Sequence, residues 1–216
     1  MIEWRIFLKP NENQEISGKR KKFEDLFAEI TPEEREDIYF NLDSEDFGLK
    51  ERHSLSDAMQ SILELKIRNK EYKGFGELWE KPLKHTFLNH NNEDQSLTDQ
   101  ELQDYLFMFE SENPHLATED IKDIQNGLKD NHPERLSFYK TRFQIIINEE
   151  ENIVKIEKTL FHVMTQRWVT FAIESRKEEL VKKFKEKYFP LKKKINEIEA
   201  SYPGFIKKIL SEHFKF

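Results

Sequence analysis

The stretch Ile62-Leu63-Glu64-Leu65-Lys66-Ile67-Arg68 decides the fold of this chain. Successive side chains of a β-strand point to opposite faces, so a strand here places three ionisable side chains on one face and three aliphatic ones on the other. Two other strand-like segments alternate cations in the same way. The six cations are Lys50, Arg52, Lys66, Arg68, Lys140 and Arg142. If the three strands share a sheet face, these cations form an anion-binding surface, because neighbouring like charges need a counter-charge.

The composition favours one folded domain and excludes several classes of partner. Of 216 residues, 36% are charged and 37% hydrophobic, and 18 Phe supply apolar surface for a core. The net charge of −7 argues against non-specific nucleic-acid binding, so no DNA partner is predicted. The chain has no Cys, which excludes disulfides and thiolate metal ligands. Because there is no long apolar run and no signal-like start, the sequence predicts a cytoplasmic protein without membrane contact.

Seven segments alternate between an apolar and an ionisable face, and amphipathic helices accompany them. The predicted strands are Ile2–Leu8, Asp37–Leu42, Leu49–Arg52, Ile62–Arg68, Ser137–Ile147, Asn152–Val163 and Arg167–Glu174. The predicted helices are Lys19–Ile30, Leu97–Phe109 capped by Thr98, Thr118–Leu128, and a helix capped by Ser175. An open sheet would show the charged faces to solvent, whereas a closed barrel would gather them inside. Periodicity alone leaves both arrangements open.

Short motifs follow one another along these strands in a fixed order. They are Glu3-Trp4-Arg5, Asp37-Ile38-Tyr39-Phe40, Lys50-Glu51-Arg52, Glu64-Leu65-Lys66, Lys140-Thr141-Arg142, Glu157 and Ala172-Ile173-Glu174. The order resembles the CYTH family of triphosphate tunnel metalloenzymes, closest to its thiamine-triphosphatase-like members. The resemblance implies an α+β fold, a closed antiparallel β-barrel (the tunnel) with helices packed outside. It also implies a single domain over 1–216, with a less matched insertion at about 74–135.

The same resemblance implies a function, hydrolysis of a triphosphate-containing or polyphosphate substrate bound in a cationic tunnel. Lys66 and Tyr39 would then activate water, which requires burial or neighbouring cations to lower the pKa of Lys66. The implied substrate-binding residues are Lys50, Arg52, Arg68, Lys140, Arg142 and Arg5. The implied ligands of Mg²⁺ or Mn²⁺ are Glu3, Glu157, Glu174 and Glu64. The expected partner is a small-molecule triphosphate or polyphosphate.

The sequence departs from the family pattern at the expected metal site. Arg5 and Ala172 stand where the family has glutamates, and Phe7 stands where it has a lysine. Because magnesium prefers carboxylate oxygens, the sequence predicts that this chain depends only weakly on a divalent metal. A cation at position 5 would repel such a metal or partly replace it at a phosphate.

Several alternatives remain open from the residues alone. The cations could form a solvated sheet face, and the carboxylates could be ion-paired with those cations inside a barrel. A barrel that lost its metal carboxylates could bind polyanions without turnover, or the fold could carry adenylate-cyclase-type chemistry, since fold does not fix reaction. A protein-interaction domain built on the insertion and the C-terminal helices is a further alternative.

Overall fold

The computed structural model describes residues 1–9, 25–42, 44–55, 60–72, 76–88, 96–112, 122, 124–126, 128, 133–149, 151–189 and 197–213. These residues contain nine β-strands. The strands are β1 (Ile2–Leu8), β2 (Glu33–Phe40), β3 (Phe47–Ser54), β4 (Gln60–Tyr72), β5 (Gly76–Leu88), β6 (Arg135–Glu149), β7 (Asn152–Val163), β8 (Gln166–Ser175) and β9 (Glu197–Glu199). The main helices are α1 (Asp99–Glu112), α2 (Glu178–Tyr188) and α3 (Tyr202–His213), and positions 122, 124–126 and 128 are also helical.

Eight of the strands close into an antiparallel barrel. Their order is β5-β4-β3-β2-β6-β7-β8-β1, and β1 pairs back onto β5 at Ile2↔Leu78 and Glu3↔Glu77. The short strand β9 pairs with the second half of β1. Closure removes the sheet edges and separates an inner from an outer face, so the alternating side chains divide between interior and exterior. The closed α+β barrel expected from the sequence is confirmed.

The closing strand β5 carries little sequence signal. It lies in the segment 74–135 that matched the family poorly, Pro82 interrupts it, and its register with β4 shifts twice. Gly76 allows its close approach to β1. This residue has φ 148°, and a Cβ there would lie 2.7 Å from the carbonyl oxygen of Glu3. Glycine therefore fits both the backbone conformation and the contact at the point of closure.

Two apolar clusters on the outer face fix the surrounding helices. One joins even-numbered side chains of β1, such as Trp4 and Ile6, to Val181 and Phe184 of α2. The other joins β2, β3, β4 and β5 to α1 and to the helical positions near 124. Its buried members are Phe40, Leu49, Leu63, Leu65, Leu83, Leu97, Leu102, Leu106, Phe109, Ile124 and Leu128. Burial of this apolar surface drives the helices onto the barrel wall.

The third cluster lies inside the barrel and includes α3. Phe7, on the inner face of β1, stacks on Phe205 of α3 with ring centroids 4.1 Å apart. Tyr39 of β2 stacks on Tyr202 at 5.0 Å. The remaining buried members are Leu136, Phe138, Phe161, Val163, Trp168, Ile206, Ile209 and Leu210. Helices α1 and α2 pack outside as expected, whereas α3 fills one part of the interior with aromatic and aliphatic side chains.

All seven predicted strands are present, and several of them are longer than predicted. The sequence missed β5, which runs from Gly76 to Leu88, and the short strand β9. Helix α1 begins with a capping box, in which Thr98 Oγ1 accepts from Glu101 N and Glu101 accepts from Thr98 N. Residue 177, and not Ser175, occupies the cap position of α2.

Two predicted helices fall largely on residues that the structure does not describe. Of Lys19–Ile30, only 25–30 is described, and 26–29 forms a turn that buries Phe27. Of Thr118–Leu128, positions 122, 124–126 and 128 are helical, and Ile124 and Leu128 are buried as predicted. Within the described residues, no helix combines the length and apolar character needed to cross a membrane.

Candidate functional site

The inner face of the barrel collects charged side chains from seven strands. Residues directly opposite each other in antiparallel strands share a face, and the register places Arg52 opposite Asp37 and Lys50 opposite Glu64. Ion pairs here join cations from β1, β2, β3, β4, β5 and β6 to carboxylates from β1, β2, β4 and β7. The cations are Arg5, Arg35, Lys50, Arg52, Lys66, Lys81, Lys140 and Arg142. The carboxylates are Glu3, Glu33, Asp37, Glu64 and Glu157.

Asp37 is the hub of one ionic cluster. Its side chain is fully buried, and Lys140 Nζ donates to Oδ2 at 2.7 Å while Arg52 Nε donates to Oδ1 at 3.0 Å. Lys50 Nζ lies 3.4 Å from Oδ2, and Arg35 Nε lies 3.3 Å from Oδ1 without hydrogen-bond alignment. One carboxylate therefore faces four cations, and only part of their charge is compensated.

A second cluster surrounds Glu3 and Glu157. Arg5 bridges them, since its Nε donates to Glu3 Oε1 at 2.8 Å and its Nη1 donates to Glu157 Oε1 at 3.0 Å. Lys66 Nζ donates to Glu3 Oε2 at 3.1 Å, and Arg142 Nε donates to Glu157 Oε2 at 2.6 Å. The carboxylates are thus ion-paired with the cations of the same interior, which was one of the alternatives that the sequence left open.

The interior has more cations than carboxylates. Eight cations share the five carboxylates of the ion pairs, and Glu174, opposite Glu3, adds a sixth on the same face. Glu77 also lies opposite Glu3 and is paired with Arg68, so nine cations stand against seven carboxylates, a formal excess of two positive charges over these described residues when every Lys is protonated. Four of these cations reach solvent at the edge of the clusters, because the side chain of Lys81 is 44% exposed, those of Arg52 and Lys66 are 20% exposed and that of Arg142 is 17% exposed. An anion entering there would meet charge-assisted donors on several strands.

The surrounding cations lower the pKa values of the buried carboxylates. Burial alone would raise the pKa of Asp37, but its four cations together hold that pKa well below its usual range. Burial likewise opposes ionisation of Glu3, Glu64 and Glu157, and the adjacent Lys and Arg side chains overcome it and lower each pKa. All four groups are therefore ionised at neutral pH.

The lysines of the interior divide into two kinds. Burial, reinforced by Arg52, lowers the pKa of Lys50 to about 8. Burial also lowers the pKa of Lys140 well below its usual value, and three aromatic rings surround its ammonium group. For Lys66, burial acts in the same direction, but Glu3, Glu174 and Glu64 outweigh it and raise the pKa. The lowered pKa that proton acceptance requires is found at Lys50 and Lys140, and not at Lys66.

Tyr39 and Lys66 line the same small cavity. This cavity of about 20 Å³ is also lined by Glu3 and Lys50, together with the start of α3. Its volume suits a single water molecule. The hydroxyl of Tyr39 accepts from Lys140 Nζ at 3.1 Å, and burial raises the pKa of Tyr39 well above its usual value. Tyr39 is therefore a neutral hydrogen-bonding group at this cavity.

The structure places the other expected residues as follows. Lys140 and Asp37 form the deepest pair, and Arg5 and Arg142 flank Glu157. Arg68 contacts a different pair of carboxylates, with Nε 2.7 Å from Asp46 Oδ1 and Nη1 2.9 Å from Glu77 Oε1. Arg68 thus belongs to the Gly76 end of β5, apart from the two ionic clusters.

Sequence reasoning missed four residues of the interior, namely Glu33, Arg35, Lys81 and Tyr202, and gave Asp37 no role in the site. Glu33 and Arg35 alternate with Asp37 and Tyr39, so extending the predicted strand Asp37–Leu42 towards the N-terminus would have found both. Lys81 lies on the unrecognised strand β5. Tyr202 faces Arg5 with the guanidinium 4.7 Å from the ring centroid, and its buried hydroxyl has no hydrogen-bond partner among the described residues. No sequence signal pointed to Tyr202, because its position follows from the docking of α3.

A second and larger cavity lies beside the ionic clusters, at a gap in the barrel wall. It measures about 150 Å³ and opens along β1 between its pairings with β5 and β9. Glu71, Glu77 and Glu199 line it together with Glu3 and Arg5. The carboxylates of Glu71, Glu77 and Glu199 repel phosphate, so the partly exposed cations Arg52, Lys66 and Arg142 are better placed to meet an anion than this cavity is.

The carboxylates present do not fit a divalent metal. Both oxygens of Glu3 and both oxygens of Glu157 accept hydrogen bonds from Arg or Lys side chains, and Lys50 and Lys81 flank Glu64. A metal bound here would have to displace these cations and would be repelled by those that remain. Among the residues that the structure describes, no group of three or more His, Asp or Glu could hold a metal ion.

Comparison with known proteins finds similarity only among solved structures. No known family and no curated protein matches the chain. A protein of Pyrococcus horikoshii is 13% identical, with a TM-score of 0.46 over 94% of this chain and 98% of that chain. A conserved hypothetical protein of Pyrococcus furiosus is 14% identical, with the same TM-score and coverage. A Bacillus halodurans protein named as a "putative adenylate cyclase" is 16% identical, with a TM-score of 0.44 over 90% and 95% of the two chains. At these values the similarity assigns no function to this chain.

Proposed function

We propose that this protein binds the phosphate chain of a triphosphate or short polyphosphate inside the barrel and hydrolyses its terminal phosphoanhydride bond. The observation that carries the proposal is the excess of cations over carboxylates on the inner face of a closed barrel. Phosphoryl transfer needs positioning and charge neutralisation more than covalent chemistry. Fixed Lys and Arg side chains on several rigid strands supply both. The resemblance of the motifs to the CYTH family points to the same substrate class.

The residues suggest a division of roles. Arg52, Arg142 and Lys66 would meet the phosphate chain at the solvent-exposed edge, where each would donate charge-assisted hydrogen bonds. A water molecule in the cavity beside Lys50 and Tyr39 would attack the terminal phosphorus, forming one P–O bond while the anhydride P–O bond breaks. The water proton would pass to Lys50, whose pKa of about 8 suits a proton acceptor near neutrality. Orthophosphate and the shortened chain would be the products.

A second candidate function is polyanion binding without turnover. The observation that favours it is that Arg and Lys side chains occupy both oxygens of Glu3 and both oxygens of Glu157, which removes the carboxylates that would hold a metal for turnover. Binding and turnover are therefore measured separately. Dependence on Mg²⁺ or Mn²⁺ is included in the turnover measurement, since a metal can also arrive bound to the phosphate chain.

The test of binding is calorimetric titration with tripolyphosphate, ATP and inorganic phosphate. We expect tripolyphosphate to bind more tightly than phosphate, and Arg142→Gln to weaken its binding by about 1.5–3 kcal/mol, the contribution of a hydrogen bond to a charged group. Arg176→Gln is the matched control, since Arg176 is exposed. Equal affinity of native protein and Arg142→Gln would contradict a binding site at this edge. Phosphate release from bound tripolyphosphate, with and without Mg²⁺ and Mn²⁺, then separates hydrolysis from binding alone.

A further inference from the structure

The starting point is the position of Arg5 across three strands. Arg5 on β1 lies directly opposite Ala172 on β8, and Ala172 lies directly opposite Glu157 on β7. Neighbouring strands are separated by roughly 4.8 Å, so the backbones of Arg5 and Glu157 are about 10 Å apart. The guanidinium nevertheless lies 3.0 Å from Glu157, because the long Arg5 side chain extends over Ala172.

Ala172 provides the room for this contact. It is fully buried on the inner face, and its side chain is a single methyl group. A longer side chain at position 172 would project into the space that the guanidinium occupies, because both lie on the same face of adjacent strands. Arg5 and Ala172 therefore form a matched pair, in which the small residue on β8 makes the long cation on β1 possible.

The guanidinium has the contacts of a built ionic centre. Besides Glu3 and Glu157, it lies 3.4 Å from Thr170 Oγ1 and faces the ring of Tyr202 at 4.7 Å. Arg5 is 6% exposed, and the neighbouring carboxylates raise its pKa well above the usual value despite its burial. It is a permanent positive charge, in place at any pH at which the protein is folded.

We infer that Arg5, seated over Ala172, replaces a divalent cation as the fixed counter-charge of Glu3 and Glu157, so that this barrel binds polyphosphate without a metal. All four oxygens of the two carboxylates are occupied by Arg5, Lys66 and Arg142. The consequence of the inference, polyphosphate binding without a metal, rests on the proposed anion-binding function. Its premise, that Arg5 blocks a divalent cation, stands on the geometry alone.

Two measurements on the native protein test the inference without any variant. Mn²⁺ titrated into the native protein by calorimetry, without phosphate, should give no saturable heat up to millimolar metal. Tripolyphosphate should bind in EDTA at least as tightly as in Mg²⁺, because free Mg²⁺ competes by complexing the ligand. Saturable micromolar Mn²⁺ binding, or tripolyphosphate binding that is lost in EDTA, would overturn the inference.

Variants at position 5 extend the test. Arg5→Gln removes the charge and leaves a polar side chain two heavy atoms smaller, so Glu3, Glu157 and Glu174 should bind Mn²⁺ at least tenfold more tightly than in the native protein. Arg5→Lys keeps a positive charge and should show no such gain. An Arg5→Gln protein that folds, by circular dichroism, and gains no Mn²⁺ affinity would contradict the blocking role.

The two proposals fail in different ways. If native protein binds no tripolyphosphate with or without metal, the anion-binding function is wrong, yet the Mn²⁺ titrations of native protein and Arg5→Gln still decide what Arg5 does. If tripolyphosphate binds only with metal, the binding function holds and the role of Arg5 as a metal substitute is refuted.

Discussion

Replacing Asp37 by Asn is the most informative single change in this protein. The substitution keeps the size of the side chain and removes the negative charge that Lys140, Lys50, Arg35 and Arg52 share at 2.7–3.4 Å. Removing one partner of a buried ion pair typically costs about 3–5 kcal/mol, because the remaining charge stays buried without compensation. The Asn oxygen can still accept one hydrogen bond, but its NH₂ group faces the other cations.

The expected loss of stability is therefore about 3–5 kcal/mol in urea unfolding. For a chain of this size, each kcal/mol corresponds to roughly 2–4 °C in Tm, so we expect Tm to fall by about 6–20 °C. Asp46→Asn is the matched control. Asp46 is 57% exposed and contacts Arg68 at the surface, so its loss should cost about 0–1 kcal/mol.

The pH dependence gives a second signature of the same change. Without Asp37, the pKa values of Lys50 and Lys140 should fall further, since each loses an attractive charge and keeps its cationic neighbours. The folded state then binds fewer protons than the unfolded state, so stability rises with pH. We expect the variant to be less destabilised at pH 9 than at pH 6. A cost below 1 kcal/mol at both pH values would refute the role of Asp37 as the hub.

Three further predictions follow from the same clusters and from α3. Native protein should bind tripolyphosphate more weakly as pH rises through about 8, because Lys50 loses its charge there. Lys50→Arg should not show this loss of affinity, because Arg stays charged. Calorimetry of both proteins at pH 7 and pH 9 measures it, and comparing the two proteins cancels the titration of the ligand itself. If Lys50 accepts the proton, Lys50→Arg should slow phosphate release roughly 100-fold or more in a steady-state assay, whereas Lys66→Arg should leave the rate nearly unchanged. A large loss of rate in Lys66→Arg and a small one in Lys50→Arg would instead assign proton acceptance to Lys66. Phe205→Ala should cost about 3–5 kcal/mol in urea unfolding, because Phe205 is fully buried between α3 and the barrel. Phe107→Ala is the control, since Phe107 is 69% exposed. If Phe205→Ala costs as little as Phe107→Ala, the docking of α3 is contradicted.

The sequence by itself determined which side chains share a face. Strict alternation in β3, β4 and β6 assigned the six cations Lys50, Arg52, Lys66, Arg68, Lys140 and Arg142 to one side of their strands. The register confirms this for Lys50, Arg52, Lys140 and Arg142. The reason is local, since a strand has a period of two wherever it pairs. The same local logic placed the apolar stripes of α1 and α2 on the barrel wall.

Only the tertiary structure decided which charges meet. Lys140 and Asp37 are 103 residues apart in the chain, and Arg5 and Glu157 are 152 apart. The two-residue period of a strand determines on which face a side chain lies. It does not determine which side chains it contacts, because these depend on the strand order and on how far the side chain reaches across the barrel. The sequence could therefore propose both metal binding and ion pairing for Glu3 and Glu157 without choosing between them.

The closure of the barrel and the docking of α3 also lay beyond the sequence. β5 pairs with β1 and β4, but Pro82 and two register shifts break its alternation, so the pattern that revealed the other strands is absent. Helix α3 is amphipathic, and amphipathicity shows that a helix packs without showing against what. Its position inside the barrel follows from the aromatic rings that several distant strands bring together, a feature of the folded interior that no single segment encodes.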